Sequence, residues 1–142
     1  MLITKGFQIE KPELFIPWRI TSDELKRIFA GENLRQVNDG YFTTSCISLN
    51  GLSHELGFHF YETAGGLLMQ FEFFRTSYED QKGSFEEFQR HLVQTFGELT
   101  TSTPGSEGYP DCVWNIDDVT IGHSVYDRFG PEEHVRISKN ES

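Results

Sequence analysis

Two tyrosine–acid pairs are the residues of this chain whose types and spacing are best suited to chemistry. Tyr61-Glu62 recurs as Tyr126-Asp127, 65 residues later. Two carboxylates can serve as acid and base when their surroundings push their pKa values apart. Acids at strand ends also commonly bond to turn amides. Glu62 and Asp127 are therefore secondary candidates, for a small-ligand or hydrolytic site in a groove between two repeated units.

The other nucleophiles and metal-ligand residue types do not form a catalytic pattern. Cys46 and Cys112 are 66 residues apart and occupy strand positions that suit small packed side chains. His54 and His59 are five residues apart, so on one strand they point to opposite faces. His123 stands among apolar residues, which is typical of a hydrogen-bonded core histidine. We therefore predict no metal and no cofactor, and the pattern favours a protein that is not an enzyme.

The tyrosine–acid pairs belong to a longer internal repeat. The matching positions include glycines and cysteines: Gly31 and Gly97, Cys46 and Cys112, and Gly57 and Gly122. A repeat of this length is a supersecondary unit. We interpret it as a duplicated helix–three-strand unit, with pseudo-repeats at about 14–74 and 67–138, inside a single domain that spans 1–142.

Both helices of the unit have start signals in the sequence. Thr21 and Glu24 form a capping box, in which a hydroxyl and a carboxylate satisfy backbone donors reciprocally. Ser84 and Glu87 repeat this pattern before the second helix. Apolar residues then recur at helical spacing in each segment, and a glycine ends each one.

Strand-like alternation follows each helix. The apolar rows are Phe58 and Phe60; Met69, Phe71 and Phe73; Val119, Ile121 and Val125; and Val135 and Ile137. They predict an α+β fold, with a single antiparallel sheet of six or seven strands and two helices packed on one face. Thr100 to Pro110 is predicted as a loop, and Pro17 makes Leu14 to Ile20 an edge strand or an irregular segment. Two separate small sheets in tandem are the alternative.

The positions between the apolar rows form a polar and aromatic sheet face. The candidate binding residues on it are His59, Tyr61, Gln70, Glu72, Tyr126 and Arg136. A half-solvated antiparallel sheet is polar on one face, so a solvated surface with cross-strand pairs such as Glu72 with Arg136 is one interpretation. Tyr and Arg are enriched where partners dock, so a binding platform is the other.

Charge narrows the class of partner. The 142 residues include 22 acids and 12 bases, for a net charge of −10. This charge repels phosphate backbones and anionic lipids, so we expect no nucleic acid and no membrane as partner. No apolar run approaches the ~20 residues of a membrane helix. The start of the sequence lacks a signal-peptide pattern, so a cytoplasmic location is expected.

The acidic charge favours a basic protein as the partner, because electrostatic complementarity speeds and selects association. In size and charge alone the chain is similar to immunity proteins, small acidic inhibitors of basic toxins. This similarity implies an immunity-type or regulatory role. The sequence therefore predicts a small acidic binding module that recognises a protein. A homodimer formed through an edge strand at Leu14 to Ile20 is a further alternative.

Overall fold

Ten strands and two α-helices make up the described part of the chain. The computed structural model describes residues 2–75, 80–105, 107–127 and 131–140. The helices are α1 (Ser22–Ile28) and α2 (Gln81–Phe96). The strands are β1 (Gly6–Ile9), β2 (Leu14–Pro17), β3 (Arg35–Asn38), β4 (Tyr41–Ser48), β5 (Leu52–Tyr61), β6 (Leu67–Phe74), β7 (Thr101–Pro104), β8 (Pro110–Ile116), β9 (Val119–Asp127) and β10 (Pro131–Lys139). Neither helix of these ranges is long and apolar enough to cross a membrane.

Eight of the strands form one antiparallel sheet, in the order β3-β4-β5-β6-β10-β9-β8-β7. β1 and β2 form a separate two-stranded sheet. The prediction of a single sheet of six or seven strands with two helices on one face is therefore wrong. The sequence pattern misses the two edge strands, because every residue of β3 and β7 is exposed and neither strand has an apolar row. β7 lies inside the segment that was predicted as a loop.

The β1–β2 hairpin packs on the apolar face of the large sheet. Phe7 of β1 is fully buried, and its ring centroid lies 5.4 Å from that of Phe71 and 5.2 Å from that of Phe73. Trp18 follows β2 and lies 4.8 Å from Phe71, centroid to centroid. The layer that covers the core therefore contains a hairpin as well as helices. Pro17 takes the last position of β2, and the bonding to β1 continues past it, since the Trp18 N–H donates to the Lys5 carbonyl at 3.2 Å.

The large sheet consists of two four-strand meanders, β3 to β6 and β7 to β10, which meet where β6 pairs with β10. Each half thus has four strands after its helix, where three were predicted. Gly31 and Gly97 have φ values of 83° and 84° where the chain leaves α1 and α2, as expected of glycine helix stops. Because β6 and β10 run antiparallel, equivalent positions of the two halves lie toward opposite ends of the sheet.

The two helix starts differ in how well the sequence predicts them. The capping box of α1 is confirmed, since the Thr21 hydroxyl accepts from the Glu24 N–H at 3.2 Å and the Glu24 carboxylate accepts from the Thr21 N–H at 3.3 Å. The box predicted at Ser84 and Glu87 is wrong. Asp80 caps α2 instead, and its carboxylate accepts a backbone N–H of the first turn at 3.0 Å. Ser84 lies inside the helix and faces the sheet.

The apolar rows predicted from the alternation are confirmed as the core side of the sheet. Their fully buried members are Phe58, Phe71, Val119, Ile121, Val125, Val135 and Ile137. Phe29, at the end of α1, packs edge-on against Phe58 with centroids 5.6 Å apart. Phe88 of α2 lies 6.2 Å from the ring of His123 in β9. These contacts of both helices and of the hairpin lie on the core side of the large sheet.

Candidate binding face

The six predicted side chains project from the side of the large sheet opposite the apolar rows, a surface that we call the open face. They are His59 and Tyr61 of β5, Gln70 and Glu72 of β6, Tyr126 of β9 and Arg136 of β10. Side chains alternate along a strand, so burial of the rows between them places all six on this surface. The two tyrosines are each 39% exposed.

Glu72 holds the centre of the open face. Its carboxylate accepts from Nε2 of His59 at 3.1 Å and from Nε of Arg136 at 3.1 Å. Arg136 lies directly opposite Glu72 in the β6–β10 register, which confirms the predicted cross-strand pair. The hydrogen bond from His59 and the charge of Arg136 lower the pKa of Glu72, while partial burial acts in the opposite direction. The carboxylate is thereby kept ionised and immobile.

A second chain of hydrogen bonds crosses the same three strands. The Tyr61 hydroxyl donates to Oε1 of Gln70 at 2.8 Å, and Nε2 of Gln70 donates to Oγ of Ser138 at 3.0 Å. Partial burial raises the pKa of Tyr61, so its hydroxyl acts as a donor. Tyr61 is therefore held in one orientation while much of its ring stays accessible. Such a side chain can contact a partner without losing rotamer freedom.

Stacked rings complete the open face. Tyr41 of β4 stacks on His59 with centroids 4.4 Å apart, and Tyr126 stacks on His134 of β10 with centroids 4.2 Å apart. The Tyr41 ring lies directly over Gly57, where an added Cβ would be 2.6 Å from the tyrosine oxygen. Tyr41 was not among the residues predicted from the sequence, because none of the apolar rows used for the prediction lies in β4. The alternation of polar Tyr41 and Thr43 with buried positions was a usable signal.

The structure does not bring the two tyrosine–acid pairs together. Tyr61 pairs with the first residue of β6, and Tyr126 pairs with Glu132 near the start of β10. Since β6 and β10 are antiparallel, these positions lie roughly 25 Å apart along the strands. Glu62 opens a single exposed 3₁₀ turn after β5, and the side chain of Asp127 lies outside the described residues. A paired-acid site between the repeats therefore lacks a geometric basis.

A groove opens on the open face beside its β3 edge, and we call it the side groove. Its volume is about 650 Å³, within the range of small-molecule pockets. The residues that line it include Arg35, Val37, Tyr41, Ser45, Glu55 and Phe74. None of these residues was among the predicted site residues. Glu55 and Phe74 belong to β5 and β6 and follow the same alternation as His59 and Glu72, so their side of the sheet was readable from the sequence.

A buried polar cluster ties α2 to the other side of the sheet. His123 and Glu133 are buried, with Nε2 of His123 2.5 Å from the Glu133 carboxylate and Nδ1 2.7 Å from Oε1 of Gln89. The Ser84 hydroxyl donates to the second Glu133 oxygen at 2.6 Å. The prediction of a hydrogen-bonded core histidine is confirmed. Glu133 lies two residues before core residue Val135 on β10 and so points to the same side of the sheet, a signal that is readable from the sequence.

The cysteines lack the surroundings of a nucleophile. Burial raises the pKa of the Cys46 thiol to about 12, and burial lowers the pKa of neighbouring His54 to about 4. His54 Nδ1 lies 2.9 Å from the Glu55 carbonyl, and its Nε2 lies 2.5 Å from the Ser48 hydroxyl, so the imidazole is neutral and engaged on both sides. Burial also raises the pKa of Cys112. A thiolate would be needed for attack, and neither site favours one.

Comparisons with known proteins supply no assignment. The chain matches no family model, no curated protein and no solved structure. Within the described ranges, no three His, Cys, Asp or Glu side chains are grouped so as to hold a metal ion. The functional argument therefore depends on the geometry of the open face and the side groove.

Proposed function

We propose that the protein is a non-enzymatic binding module that recognises a basic protein partner through the open face. The observation that carries this proposal is the ordered array on that face, in which Glu72 is fixed between His59 and Arg136 at 3.1 Å from each. An accessible surface that is ordered before binding needs little reorganisation when a partner docks.

The side chains at the two ends of the array support the same proposal. Tyr61 and Tyr126 are each 39% exposed, yet one is held by Gln70 and the other by stacking on His134. Tyrosine offers a large, stiff, amphipathic contact surface, and it is enriched among residues whose truncation weakens binding most. The spacing of the two tyrosines across the sheet suits the extended surface of a protein.

Charge determines the kind of partner in this proposal. The net charge of −10 steers a basic protein toward this chain and repels nucleic acid. An immunity-type or regulatory role, carried out in the cytoplasm, fits a small acidic module of this kind. The homodimer alternative, through an edge strand at Leu14 to Ile20, is not part of the proposal. The end of that segment is already bonded within the chain, since the Arg19 N–H donates to the Leu68 carbonyl and the Leu68 N–H donates to the Ile20 carbonyl, each at 2.9 Å.

The proposal is tested by affinity capture with the full chain at low and at high salt, followed by identification and purification of the captured protein. Isothermal titration then compares the wild type with Tyr61→Ala and Glu72→Lys. We expect about a 10-fold or greater loss of affinity for each, and weaker binding at high salt. Glu86→Lys is the matched control, because Glu86 is exposed on α2, away from the open face.

Two results together would refute the proposal: no salt-sensitive partner is captured, and neither open-face variant differs from the control against any protein that is captured. Thermal unfolding of each variant is measured alongside. A variant with wild-type unfolding and reduced affinity then reports on contact and not on folding.

A further inference from the structure

We infer that the side groove is the anchor point of the open face and accepts an arginine side chain from the partner. The inference rests on the proposed function and specifies the chemistry of the bound segment. It follows from three features of the groove: a fixed carboxylate, two aromatic walls, and a donor-only residue on the outer strand.

The fixed carboxylate belongs to Glu55. It lies opposite Ser45 in the β4–β5 register and accepts the Ser45 hydroxyl at 2.7 Å. The residue is half-buried, and no Lys, Arg or His among the described residues forms an ion pair with it. The neighbouring carboxylate of Glu72 has two cationic partners on the same face. Among the described residues, Glu55 is thus a carboxylate that is held in place by a hydroxyl and has no cationic partner.

The aromatic walls of the side groove favour a guanidinium over an ammonium group. The half-buried rings of Tyr41 and Phe74 line it, and Val37 adds apolar surface from β3. A guanidinium is planar, stacks on aromatic faces and binds a carboxylate through two parallel hydrogen bonds. An ammonium is a compact, strongly hydrated charge that uses such walls less well. The groove therefore fits arginine better than lysine.

The outer wall indicates that the arginine arrives as part of a polypeptide. Arg35 of β3 is exposed and lines the groove across from Glu55. A guanidinium donates hydrogen bonds and accepts none, so Arg35 suits an acceptor of the incoming segment, such as a backbone carbonyl next to the inserted arginine. A free inorganic cation would leave this group unused. The negative charge of Glu55 suits the cationic side chain of the segment, and the positive charge of Arg35 suits a carbonyl of its main chain.

The test uses the whole protein and a probe that does not require the partner to be known. The ¹⁵N-labelled chain is titrated with N-acetyl-arginine methylamide, and in parallel with the lysine and citrulline equivalents. Citrulline keeps the shape of arginine and removes its charge. We expect saturable shifts of the Thr43, Ser45 and Glu55 amide signals with arginine, weaker shifts with lysine and none with citrulline.

Glu55→Gln supplies the matched variant. The amide oxygen of glutamine can still accept the Ser45 hydroxyl, so the strand pair is retained while the charge is lost. We expect about a 5-fold weaker affinity for the arginine probe, the upper range for a solvent-accessible ion pair. Glu86→Gln on α2 is the control and should leave the affinity unchanged.

The inference is overturned if arginine produces no saturable shift at tens of millimolar, if citrulline binds equally well, or if Glu55→Gln binds arginine like the wild type. Its failure is distinguishable from failure of the proposed function. A captured partner that loses affinity with Tyr61→Ala but not with Glu55→Gln would leave the open face as the binding surface and reject the groove as its anchor.

Discussion

Two glycines at matching positions of the repeat should respond in opposite ways to the same substitution. Gly57 pairs with Glu72 and Gly122 pairs with Arg136, so the glycines flank the central pair of the open face on either side. A Cβ added to Gly57 would lie 2.6 Å from the oxygen of Tyr41 and 2.7 Å from its ring, whereas a Cβ added to Gly122 has no atom within 4 Å. The two sites therefore differ in the space above the sheet and not in backbone strain.

The magnitudes follow from this difference. Gly122→Ala should stabilise the fold by about 0.4–1 kcal/mol, because alanine restricts the unfolded chain and meets no obstacle in the folded one. Gly57→Ala has the same entropic gain, but it displaces the Tyr41 ring from the sheet and from His59. Loss of the stack and the accompanying strain cost about 2–3 kcal/mol, which leaves a net destabilisation of about 1–2 kcal/mol. The two melting temperatures should differ by roughly 6 °C for a chain of this size.

Thermal and urea unfolding of both variants measure this difference in stability. The decisive comparison introduces Gly57→Ala into a chain that already carries Tyr41→Ala. If the Tyr41 ring is the obstacle, Gly57→Ala should become neutral or stabilising once that ring has been removed. The reasoning is refuted if the penalty of Gly57→Ala persists in the Tyr41→Ala background, or if Gly57→Ala and Gly122→Ala unfold at the same temperature.

Three further predictions concern the core side of the sheet. Burial lowers the pKa of His54 to about 4 in the folded chain, while the unfolded chain titrates near 6.5. The free energy of unfolding should therefore be unaffected by this group above about pH 6.5 and fall by up to about 3 kcal/mol as the pH drops toward 4. Urea unfolding at several pH values from 7 to 4 measures this fall in the free energy of unfolding, and the fall should be smaller in His54→Gln. An equal dependence on pH in the variant and the wild type would contradict the attribution to His54. Because burial raises the pKa of both thiols, Cys46 and Cys112 should react with a thiol reagent at pH 8 only after denaturation, and fast labelling of the native protein would count against this. Glu133→Leu should destabilise the fold by about 3 kcal/mol, since it leaves His123 buried with its Nε2 unpaired. The double variant with His123→Leu should recover part of that loss in urea unfolding, and an additive double loss would argue against a paired cluster.

The alternation of residues predicted the two sides of the large sheet, and local caps predicted α1. Alternation succeeds at β5, β6, β9 and β10 because each has a fully buried side that demands apolar residues at every second position. It fails at β3 and β7 because an edge strand can be polar on both sides. The predicted start of α2 is wrong because Ser84 and Glu87 satisfy a capping pattern. The helix in fact begins at Gln81 after the Asp80 cap, and both Ser84 and Glu87 make tertiary contacts.

Part of the candidate site could be predicted from the sequence, because alternation along a strand tells which side of the sheet a residue faces. Side-chain parity places His59, Tyr61 and Glu72 on one surface, but it does not show which residues of a neighbouring strand come beside them. Tyr41 and Glu55 reach the site through the β4–β5 register, in which Tyr41 lies opposite His59 and Ser45 opposite Glu55. Register between strands depends on turn geometry and burial together. A groove formed by four adjacent strands therefore appears only when all of their registers are known.

The internal repeat, read with the structure, separates the residues that build the fold from those suited to binding. Gly31 and Gly97 end helices, and Cys46 and Cys112 are buried in matching strands. On the open face, by contrast, the halves have diverged. Tyr61 bonds to Gln70, whereas its counterpart Tyr126 stacks on His134. His59 of the first half has Ser124 as its counterpart. Glu72 has Ile137 at the same spacing, but Ile137 is buried on the core side, and the residue that pairs with the matching glycine is Arg136. The central ion pair of the open face therefore joins matching positions of the two halves with residues of opposite charge, and the contacts of Tyr61 and Tyr126 differ on either side of it.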